Sequence, residues 1–190
     1  DIDLNYAKNL PKDLDVSMCS RVDLSGCDLE GLELRFREGA EVNLEGAENL
    51  PKNLDVSMCS KVDLSGCNLE GLELKFRDGA EVDLWRAEKL PKHLDVSMCS
   101  KVNLSSCDLK GMKLKFREGA EVNLWRAEIL PKDLDVSMCS VVDLGGCDLE
   151  GFNFKFREGA EVDLCGVKYL PKELDLSMFS KIDLSRCDLD

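Results

Sequence analysis

The chain has 190 residues, of which 44% are apolar and 33% are charged, and its formal net charge is −13. It contains no stretch of about eighteen consecutive apolar residues, so a membrane-spanning helix is not predicted. The negative charge argues against a nucleic-acid partner, because binding a phosphate backbone needs clustered Lys and Arg. We therefore predict a chain that contacts neither a membrane nor nucleic acid.

Internal repeats set the organisation of the chain. The motif LDVSMCS occurs at 14–20, 54–60, 94–100 and 134–140, so the literal repeat is forty residues long. Acidic and basic residues alternate at half that period, in the order Asp15, Arg35, Asp55, Lys75, Asp95, Lys115, Asp135, Lys155 and Asp175. Opposite charges are favoured where side chains face each other across adjacent strands. The predicted structural unit is a coil of twenty residues, and 190 divided by twenty gives nine and a half coils.

The first predicted element of each coil is a short strand. In the coil 61–80, Val62 and Leu64 alternate with polar residues, and Val82 and Leu84 repeat this pattern in the next coil. Alternation with a period of two is typical of a half-buried strand. The outward residue between the two apolar ones forms a column that we call the polar stripe: Asp23, Asn43, Asp63, Asp83, Asn103, Asn123, Asp143, Asp163 and Asp183.

The next predicted elements are a turn and a second strand. The centre of the turn is always Pro or Gly: Pro11, Gly31, Pro51, Gly71, Pro91, Gly111, Pro131, Gly151 and Pro171. A helix does not continue through such a column. Beyond the turn, Leu74 alternates with Phe76 as Leu94 does with Val96, so two strands per coil are predicted.

Stacking these coils gives the predicted fold, an all-β solenoid of right-handed parallel coils with two strands in each. Residues 1–190 form one solenoid, shaped as a rod or an arc, and its coils pair into forty-residue sequence repeats. One coil buries too little apolar surface to offset the entropy lost when twenty residues are ordered. Stability must therefore come from stacking between neighbouring coils.

Nine of the ten cysteines fall in two columns. The columns contain Cys19, Cys59, Cys99 and Cys139, and Cys27, Cys67, Cys107, Cys147 and Cys187. Members of one column lie about 10 Å apart, which exceeds the roughly 7 Å Cα limit for a disulfide. We expect buried, reduced thiols, which favours a reducing compartment such as the cytoplasm. No CxxC motif occurs, and we predict neither a metal nor a cofactor.

The coil pattern resembles the leucine-rich repeat of the short, twenty-residue bacterial type. The signature LxxLxLxxN/CxLxxL is filled by Cys59, Val62, Leu64, Cys67, Leu69 and Leu72, and Leu-Pro pairs such as 50–51 match this class. The resemblance covers the whole chain and implies a concave parallel sheet built from segments such as 62–65. Cys or Ala replaces the commoner Asn of the family.

The pentapeptide repeat, a four-sided right-handed β-helix, is the alternative resemblance. Residues 62–76 read as three pentads, VDLSG, CNLEG and LELKF. This frame would bury Arg37, Arg77, Arg117 and Arg157 and leave Phe36, Phe76, Phe116 and Phe156 outside. Burial of charge is unfavourable, so we favour the leucine-rich interpretation.

No catalytic residues are predicted, and we expect a protein that is not an enzyme. The one histidine, His93, lies in a polar column with Asn53, Asp133 and Glu173, which predicts a surface position. No Ser or Cys has a recognisable partner base in the sequence.

The strongest interaction signal is a break in the repeat on the predicted sheet. Position five of the coils reads Asn5, Ser25, Glu45, Ser65, Trp85, Ser105, Trp125, Gly145, Cys165 and Ser185. Each Trp precedes an arginine, and aromatic and Arg side chains are enriched at binding hot spots. The predicted partner-binding set, called the Trp–Arg patch below, contains Asp83, Trp85, Arg86, Asn103, Asn123, Trp125 and Arg126. Alternatively, each Trp only covers the small residues beside it.

Three functions are compatible with these observations. The first, which we favour, is a recognition scaffold that binds a protein partner through one face of the sheet. The second is a structural or consensus-engineered solenoid without a ligand. The third is an acidic rod that mimics DNA, implied by the pentapeptide resemblance but disfavoured by the alternating charges. Exposed terminal coils also predict end-to-end self-association.

Overall fold

The computed structural model describes residues 1–170 and 174–187. Within these residues, ten short strands form one parallel sheet in chain order. They are β1 Ile2–Asp3, β2 Arg21–Asp23, β3 Glu41–Asn43, β4 Lys61–Asp63, β5 Glu81–Asp83, β6 Lys101–Asn103, β7 Glu121–Asn123, β8 Val141–Asp143, β9 Glu161–Asp163 and β10 Lys181–Asp183. A short 3-10 helix, Leu176–Met178, precedes β10. The predicted parallel β-solenoid of twenty-residue coils is confirmed.

The strands pair in a fixed register that brings like positions of successive coils together. Val62 of β4 pairs with Val82 of β5, and Asp63 pairs with Asp83. Arg21 pairs with Glu41, and their side chains form an ion pair of 2.8 Å. Opposite charges therefore stack at the first position of these strands, whereas the column predicted from Asp15 to Asp175 forms no ion pair among the described residues.

The core consists of the inward residues of each coil, stacked in columns. Val62, Leu64 and Leu69 are completely buried. The Sγ of Cys67 donates a hydrogen bond to the carbonyl oxygen of Leu44 at 2.9 Å. Four more pairs repeat this contact: Cys27 with Leu4, Cys107 with Leu84, Cys147 with Leu124 and Cys187 with Leu164. The thiol column thus ties each coil to the preceding one, and the predicted burial is confirmed except at Cys19 and Cys187, which are half-buried.

The second strand predicted in each coil is not formed in the described residues. The segments around Leu74 and Leu94 have no strand ladder, although their side chains point inward and are each 5% exposed. The reason lies in the turns on either side. The N–H of Leu94 donates to Pro91 within its own coil, and the N–H of Cys99 donates to Val96, so these groups are not available for a neighbouring coil. The predicted turn residue Pro171 lies outside the described residues.

The placement of phenylalanine and arginine differs from what the pentapeptide frame requires. Phe36, Phe76 and Phe116 pack half-buried against the core, and Phe156 is buried. The following arginines extend along the surface. The side chains of Arg117 and Arg157 are 39% and 43% exposed and approach acidic residues of another coil. This geometry is consistent with the leucine-rich interpretation, but it does not by itself identify a family.

Candidate functional site

The polar stripe holds the turn that follows each strand. Asp83 Oδ1 accepts the backbone N–H of Trp85 at 2.9 Å and the hydroxyl of Ser65 at 3.0 Å. Its Oδ2 accepts the side-chain amide of Asn103 at 3.2 Å. Side-chain oxygens that bond a backbone N–H two residues later stabilise turns of this kind.

The other stripe members of the patch have the same role. Asn103 Oδ1 accepts both the N–H and the hydroxyl of Ser105, and Asn123 Oδ1 accepts the N–H of Trp125 at 2.9 Å. Both asparagines are half-buried. Asp83, Asn103 and Asn123 therefore position the site by shaping its backbone.

The two tryptophans lie on the outer face of the sheet, where Trp85 is 36% and Trp125 is 39% exposed. Trp125 packs against the next coil, because a Cβ placed on Gly145 would lie 3.0 Å from its Cδ1. Ser65 and Ser105, which flank Trp85, are each only 3% exposed. The indoles thus cover small neighbours, yet more than a third of each tryptophan still contacts solvent.

Each tryptophan has the guanidinium group of the following arginine over its ring. The distance from the guanidinium carbon to the ring centroid is 4.7 Å for Arg86 on Trp85 and 4.4 Å for Arg126 on Trp125. Both distances are within the roughly 6 Å range of a cation–π interaction, which contributes about 0.5–1 kcal/mol at an exposed site. The two Trp–Arg pairs repeat the same geometry two coils apart.

The two arginines stand at a turn position that is left-handed in every described coil, including those with Tyr6, Ser106 and Arg186. Their φ angles are 52° for Arg86 and 51° for Arg126, in the left-handed region. Glycine, which adopts this conformation without strain, occupies the equivalent position at Gly26, Gly46, Gly66, Gly146 and Gly166. A residue with a Cβ loses about 1–2 kcal/mol there. The turn itself therefore does not require arginine.

Neither Arg86 nor Arg126 forms an ion pair with another residue in the described part of the chain. On the same face, Lys101 pairs with Glu121 at 3.2 Å. The nearest stripe carboxylate, Asp83, already accepts three hydrogen bonds. The structure thus presents two exposed guanidinium groups whose donors are not used by the fold.

A groove lies on the same sheet face, over strands β1–β4. Its volume is about 500 Å³, and it contains no residue of the Trp–Arg patch. The walls are residues of the first and third positions: Asp1, Asp3, Arg21, Asp23, Glu41, Asn43, Lys61 and Asp63. Sequence reasoning missed this groove because residues of these types recur in nearly every coil and produce no break in the pattern.

The remaining candidates for chemistry are accounted for by the fold. His93 is exposed, as predicted. Burial raises the pKa of Cys59, Cys99 and Cys139 to about 12, so these thiols stay protonated and are poor nucleophiles. In the ranges that the structure describes, no group of three or more His, Cys, Asp and Glu side chains could hold a metal ion. No helix in the same ranges is long and apolar enough to cross a bilayer.

Comparison with protein-family models, with curated proteins and with solved structures gives no significant match for this chain. The leucine-rich and pentapeptide resemblances therefore stay predictions. A functional assignment has to rest on the residues of this chain.

Proposed function

We propose that the protein is a non-enzymatic recognition scaffold that binds a partner protein through the Trp–Arg patch. The main support is that Trp85 and Trp125 replace small residues on the outer sheet face and stay 36% and 39% exposed there. Large aromatic side chains on a rigid surface bind with little loss of conformational entropy. The coil fold does not need them, because serine or glycine takes the same position in other coils.

The surrounding structure supports this role because it holds the patch rigidly. The backbone N–H groups of Trp85 and Trp125 are fixed by the polar stripe, and the strands on both sides are paired. Trp85 and Trp125 lie in the turns directly after β5 and β7, and a site whose backbone is held by supporting hydrogen bonds keeps its geometry. A partner would therefore meet a surface that is already organised.

The size of the patch indicates that a partner would also touch neighbouring coils. A stable interface buries about 800 Å² on each side. Each tryptophan exposes only a little more than a third of its surface, so the two indoles supply a small part of that area. The remaining area would come from the continuous sheet face, which extends over all ten described strands.

A solenoid without a partner is the second candidate. It is favoured by the burial of Ser65 and Ser105, since a tryptophan that covers its neighbours contributes to stability by that contact alone. In that case, replacing the tryptophans would change stability and no binding activity.

Affinity capture with the double variant Trp85→Ser, Trp125→Ser separates the two candidates. We expect the wild-type chain to retain a partner that the double variant does not retain, while the variant still unfolds cooperatively. The matched control is Met58→Ser, Met98→Ser, which removes two apolar residues that are 47% and 50% exposed and lie outside the sheet. Equal capture by all three chains would reject the proposal.

A further inference from the structure

The chemistry of Arg86 and Arg126 points to a class of partner. We propose that the Trp–Arg patch binds an acidic segment of the partner protein, whose carboxylates pair with the two guanidinium groups. This inference rests on the proposed function, because it names the partner class for the same site.

The first step is that the fold exposes the two arginine side chains and does not use their charge in ion pairs. Each guanidinium group lies over an indole ring, at 4.7 Å for Arg86 and 4.4 Å for Arg126, and both residues are exposed. The N–H donors of both guanidinium groups form no ion pair among the described residues. A carboxylate accepts two such donors at once, so it is the natural partner for a stacked arginine.

The arginines also cover a ring face that a stacking ligand would need. A sugar or a nucleobase would have to displace Arg86 or Arg126 from the indole to stack there. A carboxylate can bind without disturbing the Trp–Arg pair. The geometry therefore favours an anionic ligand over an aromatic or carbohydrate one.

Charges close to the patch determine which charge the partner segment carries, although the chain is negative overall. The net charge is −13, but charges farther than about 8 Å are largely screened at physiological ionic strength. Lys101, between the two tryptophan coils, is already paired with Glu121. Arg86 and Arg126 are the cations of the patch that the fold leaves unpaired among the described residues.

The spacing of the arginines sets the minimum length of the acidic segment. Two coils separate Arg86 from Arg126, which corresponds to about 10 Å. A single carboxylate reaches only one of the two groups. Two carboxylates about 10 Å apart, three residues along an extended chain or seven along a helix, can reach both. A segment with several acidic residues is therefore expected to bind more tightly than one with a single acidic residue.

The test uses three fluorescently labelled ten-residue peptides that carry Glu, Gln or Lys at every third position and Gly elsewhere. Binding is measured by fluorescence anisotropy at low and at physiological salt. The proteins are the wild type, Arg86→Gln with Arg126→Gln, and the control Arg21→Gln with Lys61→Gln, which removes two positive charges from the same sheet face.

We expect the wild type to bind the Glu peptide at least tenfold more tightly than the Gln peptide, with affinity falling as salt rises. The Arg86 and Arg126 double variant should lose at least tenfold, and the control less than threefold. Absence of a Glu preference in the wild type, equal losses in both variants, or a preference for the Lys peptide would overturn the inference.

The failure of this inference can be told apart from the failure of the proposed function. If a captured partner is lost with Trp85→Ser, Trp125→Ser but retained by the arginine variant, the recognition scaffold stands and the acidic partner is rejected. If both double variants retain the partner, both proposals are rejected. If both lose it and the partner segment loses affinity when its Asp and Glu are changed to Asn and Gln, both are supported.

Discussion

The sheet face over β2–β4 and the sheet face over β5–β7 share one backbone but present different side chains. In the first region Ser65 follows the strand and Gly66 occupies the left-handed turn position; in the second, Trp85 and Arg86 take these places. The turn bond is the same in both, because the backbone N–H of residue 65 and that of residue 85 each donate to a stripe carboxylate at 2.9 Å. The shared features are those that the fold requires, and the features confined to one region indicate function.

The stripe carboxylates Asp23 and Asp143 differ in the hydrogen-bond donors around them. Burial pushes the pKa of Asp23 upward, but hydrogen bonds from Ser25 and Asn43 outweigh it, and this pKa lies below its ordinary value. Around Asp23, serine and asparagine thus supply the hydrogen-bond donors that stacked carboxylates need.

Asp143, beside the second tryptophan, lacks those donors. Burial raises the pKa of Asp143, Asp163 raises it further, and the N–H of Gly145 opposes them only in part. A serine at 145 would supply a hydroxyl, but its Cβ would lie 3.0 Å from Trp125 Cδ1.

The largest predicted effect is a loss of stability that should be the same in both regions. Leu64 and Leu84 are completely buried below the serine and tryptophan positions, respectively. Leu64→Ala and Leu84→Ala should each lower the free energy of unfolding by about 2–5 kcal/mol, through lost transfer energy and a cavity. Urea unfolding measures both. A clearly smaller loss at Leu84 would mean that the tryptophan coil is packed differently from the serine coil.

Substitutions at the left-handed turn position should change the free energy of unfolding in opposite directions in the two regions, by about 1 kcal/mol or less. Gly66→Ala should destabilise the chain by about 1 kcal/mol through backbone strain alone, because its Cβ would meet no atom closer than 4.0 Å. Arg86→Gly should stabilise by less than that, since relief of strain is partly offset by loss of the cation–π contact. Thermal unfolding measures both variants. A destabilising Arg86→Gly would show that the fold depends on this arginine.

Two stripe carboxylates should differ in how their replacement responds to pH. Asp143 has a folded pKa above its ordinary value of 3.8, so its stabilising contribution is present below that value and is lost as pH rises through the folded pKa. Asp143→Asn should therefore stabilise the chain at pH 7, and the gain should disappear below pH 3.8.

Asp23→Asn should behave in the opposite way. The folded pKa of Asp23 lies below 3.8, so its contribution is present above that value and is lost as pH falls through the folded pKa. The substitution should destabilise at pH 7, with the loss shrinking in acid. Melting temperatures of both variants between pH 3 and pH 7 test the pair. Melting temperatures that change with pH in the same way in both variants would contradict the comparison.

The smallest predicted difference between the regions concerns their buried thiols. Burial raises the pKa of Cys67 and of Cys107 to about 11, from an ordinary value of 9.0. At pH 8 the thiolate fraction should be about a hundredfold below that of an ordinary thiol, and equally low in both coils. Mass spectrometry after iodoacetamide treatment measures the two rates. Fast labelling of either residue in the folded chain would show that its coil opens.

Much of this architecture could be predicted from sequence because the repeat is strict. The twenty-residue coil, the first strand, and the buried columns of Val62, Leu64 and Cys67 follow from periodicity. The second strand was predicted wrongly, because alternation at Leu74 and Phe76 reports which side chains face inward and not where backbone N–H groups donate. In the coil 81–100, for example, the N–H of Leu94 donates to Pro91 within its own turn.

The Trp–Arg patch was visible as a break in the repeat, but the roles of its members were not. The stripe residues Asp83, Asn103 and Asn123 hold the backbone, which only the hydrogen bonds reveal. The strained conformation of Arg86 and Arg126 had a sequence signal, namely glycine at the same position in other coils. The stacking of each guanidinium group on a ring depends on side-chain torsions that periodicity does not encode.

The most direct test of recognition by this surface is the dissociation constant of a captured partner. It should be measured by isothermal titration calorimetry for the wild type, for Trp85→Ser with Trp125→Ser, and for the control Met58→Ser with Met98→Ser. We predict a dissociation constant at least tenfold higher for the tryptophan variant and unchanged for the control, corresponding to a loss of about 1.4 kcal/mol or more. Equal dissociation constants for all three chains would contradict the account.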